Sequence, residues 1–320
     1  MHSKLCLVSA ALAASIMTAS PALALEKIRT AIVSRTVFFM PLWIAAEKGF
    51  MREAGIETAI DVLDNAEKIN AEVRSGAAQI AISSPEALIV SAYQGGGFRM
   101  LASVAQKPPH YIVAKPAIKS LGDLRGAKFG VLSMYEGTTF LVDDLAGAAG
   151  LKKGEYTIAA VGGAPTRWKL LQEGKIDAAL QPFPLSYESD AAGFTNLGPI
   201  ADYVPDYEFT VVFAEAAFAK TNAPLVTAYL RALRRGQAFM SADPDETAAI
   251  AARELRTTPA LAARALADTA RIGIIPDGLS VSEKGLARVF STLQRAGLVA
   301  ASERFDRTKF VDDSYLAKAK

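Results

Sequence analysis

From residue 28 to residue 192, short apolar runs alternate with longer segments of helical periodicity. Alternation at these lengths calls for parallel strands joined by crossover helices, so the sequence predicts an α/β protein. Strands are expected at 28–33, 58–63, 79–82 and 100–104, with helices at 41–54, 66–74 and 86–94 between them. Lys107-Pro108-Pro109-His110 breaks the rhythm, and 111–114 follows as a lone strand. A second set then places strands at 129–132, 157–161, 178–180 and 194–200, and helices at 138–149, 166–173 and 185–192. Residues 209–213 read as one more strand. Beyond Asn222 the chain turns Ala- and Arg-rich and helical, with segments at 224–240, 246–255, 259–269 and 282–296.

The opening unit, residues 27–57, shows how such a chain could hold a ligand. Pro41 suits a first helical turn, where its missing N–H is no loss, and Gly55 suits a left-handed C-cap. Between strand and helix, polar Ser34 and Arg35 stand directly ahead of Val37-Phe38-Phe39-Met40. Open α/β sheets take ligands at such turns, where strand ends meet helix N-termini.

Residue counts exclude several kinds of chemistry. His2 and Lys4, an apolar run over 5–17 and Ala22-Leu23-Ala24 predict a cleavable export signal over residues 1–24, too short for a membrane span. The remaining chain would carry 34 basic against 33 acidic residues, which gives no case for nucleic acid. Cys6 would leave with the signal, and His110 would be the sole histidine, so catalytic triads and Cys- or His-based metal sites are out of reach. No cofactor and no metal are called for. The 296 residues that remain suffice for two lobes with separate cores.

Three helix starts present hydroxyls and free N–H groups to an anion: Ser34-Arg35-Thr36, Ser83-Ser84-Pro85 and Glu136-Gly137-Thr138-Thr139. The same residues also serve as ordinary N-caps. Arg35 is the expected full charge, able to grip a carboxylate or sulfonate bidentately. Phe38, Phe39, Tyr135, Phe183 and Tyr207 are candidate apolar walls. Asp177 is expected to bond backbone or cap a neighbouring helix, and His110 to be structural. An internal echo relates residues 74–83 to 172–181, each a helix end, a glycine, an apolar strand and a polar tip. It puts Ser83 and Gln181 at matching strand tips in two lobes.

The run Pro41-Leu42-Trp43-Ile44-Ala45-Ala46-Glu47-Lys48-Gly49-Phe50, with Glu53-Ala54-Gly55-Ile56, resembles the opening of the NMT1/THI5-like solute-binding proteins. Further likenesses lie at residues 76–81, 120–126 and 174–179. The resemblance implies a type II periplasmic-binding fold, two α/β lobes with a ligand cleft and two interlobe crossings, near residues 111–115 and 205–209. Lobe 1 would then comprise residues 25–112 and 208–320, and lobe 2 residues 113–207. It further implies a periplasmic, monomeric receptor that hands a small molecule to the permease and ATPase of an ABC importer. The ligand would be a sulfonate, taurine-like or aromatic carboxylate anion; a pyrimidine, thiamine-precursor or flavin-like vitamin is the alternative. Ser34, Arg35, Phe38, Phe39, Ser83, Ser84, Glu136, Thr138, Thr139, Gln181, Phe183 and Tyr207 are the expected contacts. An enzyme is not expected, because the pyrimidine synthases resembling this family need an active-site histidine and a Cys-rich iron motif.

Overall fold

The computed structural model describes residues 24–320; the expected signal lies almost wholly outside them. The first set comprises β1 (Glu26–Ile32), α1 (Met40–Glu47), α2 (Phe50–Glu53), β2 (Ile56–Val62), α3 (Ala66–Ser75), β3 (Ile80–Ser83), α4 (Glu86–Tyr93) and β4 (Phe98–Ala105). The second comprises β5 (His110–Ala114), β6 (Lys128–Val131), α5 (Gly137–Ala148), β7 (Thr157–Ala160), α6 (Ala164–Gln172), β8 (Ala178–Pro182), α7 (Leu185–Ala191) and β9 (Thr195–Pro199). The chain then adds β10 (Thr210–Glu215), α8 (Ala216–Thr221), α9 (Ala223–Ala242), α10 (Pro244–Leu255), α11 (Pro259–Ile272), α12 (Glu283–Arg295) and α13 (Ser314–Lys318).

Two five-stranded sheets result, in the orders β2-β1-β3-β10-β4 and β7-β6-β8-β5-β9. Counting β1–β4 as the first lobe's own strands and β6–β9 as the second's, each sheet places its second, first and third strands beside a strand that has come from the other lobe, with its fourth beyond. That incoming strand runs antiparallel: β10 to β3 and β4, and β5 to β8 and β9. The expectation of parallel strands holds for β1, β2 and β3 and for β6, β7 and β8, and is corrected for the incoming strand. A set's own strands run toward the lobe junction, whereas a strand arriving from the junction must run away from it.

The passages between sheets occupy residues 106–109 and 200–209. Residues 111–114, expected as a lone strand at a crossing, form β5 and pair with β8 just past the first passage. The echo between 74–83 and 172–181 falls on β3 and β8, the third strand of each lobe.

The expected helix over 41–54 is two helices. Gly49, at φ 78°, turns the chain between α1 and α2, and Gly55 follows with φ 79°. Met40 to Ala45 are all buried, so α1 is apolar around its circumference rather than two-faced. The cause is α9, which packs on it so closely that a Cβ at Gly236 would lie 2.1 Å from the Pro41 carbonyl oxygen.

Candidate functional site

Where the two sheets meet, the strand-end turns close around a cavity of about 30 Å³. From the first lobe come Val33, Ser34, Thr36, Phe38, Ser84 and Thr210; from the second, Leu132, Glu136, Thr138, Gly163, Ala164, Arg167 and Pro182. His110 and Phe209, at the two passages, complete the lining, their rings 4.8 Å apart and near perpendicular. Phe38 meets Phe209 edge-on at 6.2 Å. All three expected helix starts reach this cavity, and the N-terminus of α6 is a fourth.

Arg167 supplies the charge. It stands in the first turn of α6, 3% exposed, where Nη1 donates to Gly162 O and Nη2 to Leu180 O, both at 3.0 Å. Among the described residues its Nε–H has no partner. Burial lowers its pKa to about 10, opposed by the carboxylates of Glu136 and Asp64, so it remains a cation at neutral pH. His110 is held well below its ordinary value by burial and then by the Arg167 charge, and stays neutral.

Carboxyls flank the cavity on the other side. Glu136 caps its own helix, accepting from Thr138 N–H at 2.9 Å and from the Thr138 hydroxyl. The expected anion position at the head of α5 is therefore filled by the protein itself. Glu86 accepts from the Tyr207 hydroxyl at 2.7 Å. Burial, and next the Glu136 charge, push Glu86 up to about 8. Burial raises Glu136 too.

Polar atoms left without partners gather here. Thr36 Oγ1, His110 Nδ1 and Arg167 Nε belong to lining residues; Ser83 Oγ and Glu86 Oε2 belong to their sequence neighbours. Buried polar groups are ordinarily satisfied, so a cluster of unsatisfied ones around one cavity points to an occupant. Thr36 also makes no side-chain cap to its helix, which leaves its hydroxyl free for that occupant.

Of the twelve expected contacts, Ser34, Phe38, Ser84, Glu136 and Thr138 line the cavity. Arg35 does not. Its guanidinium pairs with Glu254 of α10 and lies over the Trp43 ring at 4.9 Å, turned toward the helical face rather than the cleft. Phe39 is buried against Phe38. Thr139 spends its hydroxyl on Ser133 O at 2.7 Å. Ser83 is buried at the end of β3, Tyr207 lies behind the cavity on Glu86, and Phe183 stacks on Tyr187. Gln181, with its amide oriented to suit its neighbours, donates to Ala164 O at 3.2 Å and accepts from Trp168 N at 3.1 Å, bracing α6. Tyr135 is 62% exposed and lies outside the cleft. Asp177 bonds backbone as expected, accepting from Lys128 N at 2.8 Å.

Arg167, Thr36, His110, Phe209 and Gly163 are functional candidates absent from the expected contacts. Arg167 carried a readable signal. Gly162-Gly163-Ala164-Pro165 follows a strand and puts proline in a first helical turn, which marks a helix start at a strand end.

Residues 37–247 match the family described as NMT1/THI5 like. The chain belongs to that family. The NMT1/THI5-like chain is 26% identical over 218 residues to the riboflavin-binding protein RibY of Chloroflexus aurantiacus, covering 65% of this chain and 60% of RibY. In fold it superposes on the periplasmic nitrate-binding protein NrtA of Synechocystis PCC 6803 with a TM-score of 0.74 at 14% identity, covering 92% and 88% of the two chains. For the periplasmic aliphatic sulphonate-binding protein SsuA of Escherichia coli the TM-score is 0.66 at 16% identity, covering 89% and 91%. The two-lobed periplasmic-binding fold expected from the sequence is the fold observed.

Proposed function

We propose that this protein is the periplasmic ligand-binding component of an ABC importer, and that it captures a small organic anion between its lobes with Arg167 as the anchor. The observation that carries this is the buried Arg167 guanidinium, which lines the cleft with its Nε–H unspent. An acceptor oxygen of a sulfonate or carboxylate satisfies that donor and offsets the burial of the charge. Hydroxyls of Ser34, Thr36 and Ser84 face the same ligand from the first lobe, and Phe38 and Phe209 flank its apolar body. Contacts from both lobes let the ligand favour the closed form, because only differential affinity shifts such an equilibrium. The delivery partners would be the permease and ATPase of the importer, with the receptor acting as a monomer.

The buried Arg167 charge favours a small anion over the pyrimidine or flavin alternative that the likeness to RibY keeps in view. A thermal-shift panel of alkyl sulfonates, aromatic carboxylates, nitrate, pyrimidines and riboflavin decides between them. Occupancy at a hundred times Kd adds about 2.7 kcal/mol of stability, a shift of several degrees. Stabilisation by a pyrimidine or riboflavin alone would end the anion assignment. For the best anion, Thr36→Val and Arg167→Gln should each weaken binding, the latter about ten- to a hundredfold, the scale of a charged hydrogen bond. Full affinity in Arg167→Gln would remove it as the anchor.

A further inference from the structure

A carboxylate from the first lobe sits on the helix that carries Arg167. Asp64 follows β2, and its backbone is left-handed at φ 53°, an uncommon conformation for a residue other than glycine. Its Oδ1 accepts the Gly163 N–H at 2.6 Å and its Oδ2 accepts the Thr166 hydroxyl at 3.2 Å. Both partners belong to the start of α6 in the second lobe. The Gly163 N–H and the Gly162 carbonyl are two ends of one peptide group, and the Gly162 carbonyl accepts Arg167 Nη1 at 3.0 Å. One peptide plane therefore joins the first lobe's carboxylate to the cleft's cation.

Glycine at this point is explained by the same contact. Gly163 has φ −65° and ψ 176°, which any residue adopts. Its lack of a side chain answers to space: a Cβ there would lie 2.0 Å from Asp64 Oδ1 and 3.3 Å from the Ser34 Cβ. Other cross-lobe ties lie between outlying helices, such as Asp144 with Arg288 at 2.8 Å and with Arg295 at 2.9 Å. None of these touches a peptide that also holds Arg167.

We infer that Asp64 is the positioning residue of the cleft: it draws the lobes together on the Gly162–Gly163 peptide, fixes Arg167 through that peptide, and requires glycine at position 163 to do so. Closure is then favoured in part before a ligand arrives, so that less of the ligand's binding free energy goes into it. The inference takes the cleft as the binding site, but its test uses no ligand and so stands or falls apart from the anion assignment.

Spin labels at Lys68→Cys on α3 and Lys169→Cys on α6, both exposed, report the interlobe distance in ligand-free protein whose only cysteine, Cys6, is replaced by serine. Asp64→Ala should lower the closed-to-open ratio about tenfold, the worth of a charged hydrogen bond. Gly163→Ala, which keeps the carboxylate and blocks its approach, should lower it likewise. Asp64→Asn keeps an acceptor for the Gly163 N–H and should retain most of the closed population. Circular dichroism unchanged in all three separates lobe opening from unfolding. A wild-type distance distribution in either Asp64→Ala or Gly163→Ala overturns the assignment.

Discussion

Two arginines show what a sequence does and does not disclose about a site. Arg35 stands in the turn most exposed to suspicion, yet its charge is matched by Glu254, 219 residues along, on a helix whose packing no local pattern reveals. Arg167 was legible in kind, since a Gly-Gly-x-Pro run after a strand marks a helix start. A start assigned at Thr166 leaves the glycine pair in a loop and gives Arg167 no reason to face a cleft. The hydroxyl-bearing turns were easier to find, because Ser34, Ser84 and Thr138 sit at strand ends in any α/β arrangement. Arg35→Ala should accordingly leave affinity for the best anion unchanged. It should cost about 1–2 kcal/mol in stability, because a partly buried ion pair and a cation–π contact are each worth about 1 kcal/mol or less. Titration calorimetry with urea unfolding checks both halves; a tenfold loss of affinity would return Arg35 to the site.

At the scale of elements, periodicity located nearly every strand and helix and failed where tertiary contact overrides local pattern. The α1–α2 break needs only Gly49, which a sixteen-residue family motif makes easy to read through. The apolar circumference of α1 exists because α9 covers the side that a surface helix would leave polar. Gly236 is the point of closest approach, and a Cβ there would also lie 3.2 Å from Ala45 N. Because the opposing atoms are backbone, no side-chain rotation relieves the clash. Gly236→Ala gains about 1 kcal/mol of helix propensity and incurs an overpacking cost of about 1–3 kcal/mol. The rigid opposing backbone places the cost at the upper end, so net destabilisation is expected in chemical denaturation. A variant more stable than wild type would mean that α1 and α9 separate freely.

Over the whole molecule, the shared strand order makes the two lobes variants of one design, and the faint echo at β3 and β8 was its trace in the sequence. The incoming antiparallel strands left no such trace, because direction is set by where the chain crosses rather than by residue type. These crossings also bury acids. Glu208, just ahead of β10, accepts from the Ser103 hydroxyl and from Ser282 N–H at 2.7 Å, and burial pushes it up to about 8; Glu86, bonded to Tyr207 of the second crossing behind the cleft, stands at about 8 as well. Each folded-state value exceeds the ordinary carboxyl value of 4.5 that holds in the unfolded chain. The native state then holds a proton that the unfolded state has released, so stability falls as pH rises and the loss is complete near pH 8. His110 works in the opposite direction, but only below its ordinary value of 6.5, where the unfolded chain takes up a proton that the buried ring refuses. Between pH 6.5 and 8 the acids therefore govern, at up to about 1.4 kcal/mol per pH unit for each. The melting temperature should decline across that interval and level off above it. Glu208→Gln, which keeps an acceptor for Ser282 N–H, should remove about half of the decline. A melting temperature flat from pH 6.5 to 8, or a slope unaltered in Glu208→Gln, would show that these carboxyls are not held protonated in the folded protein.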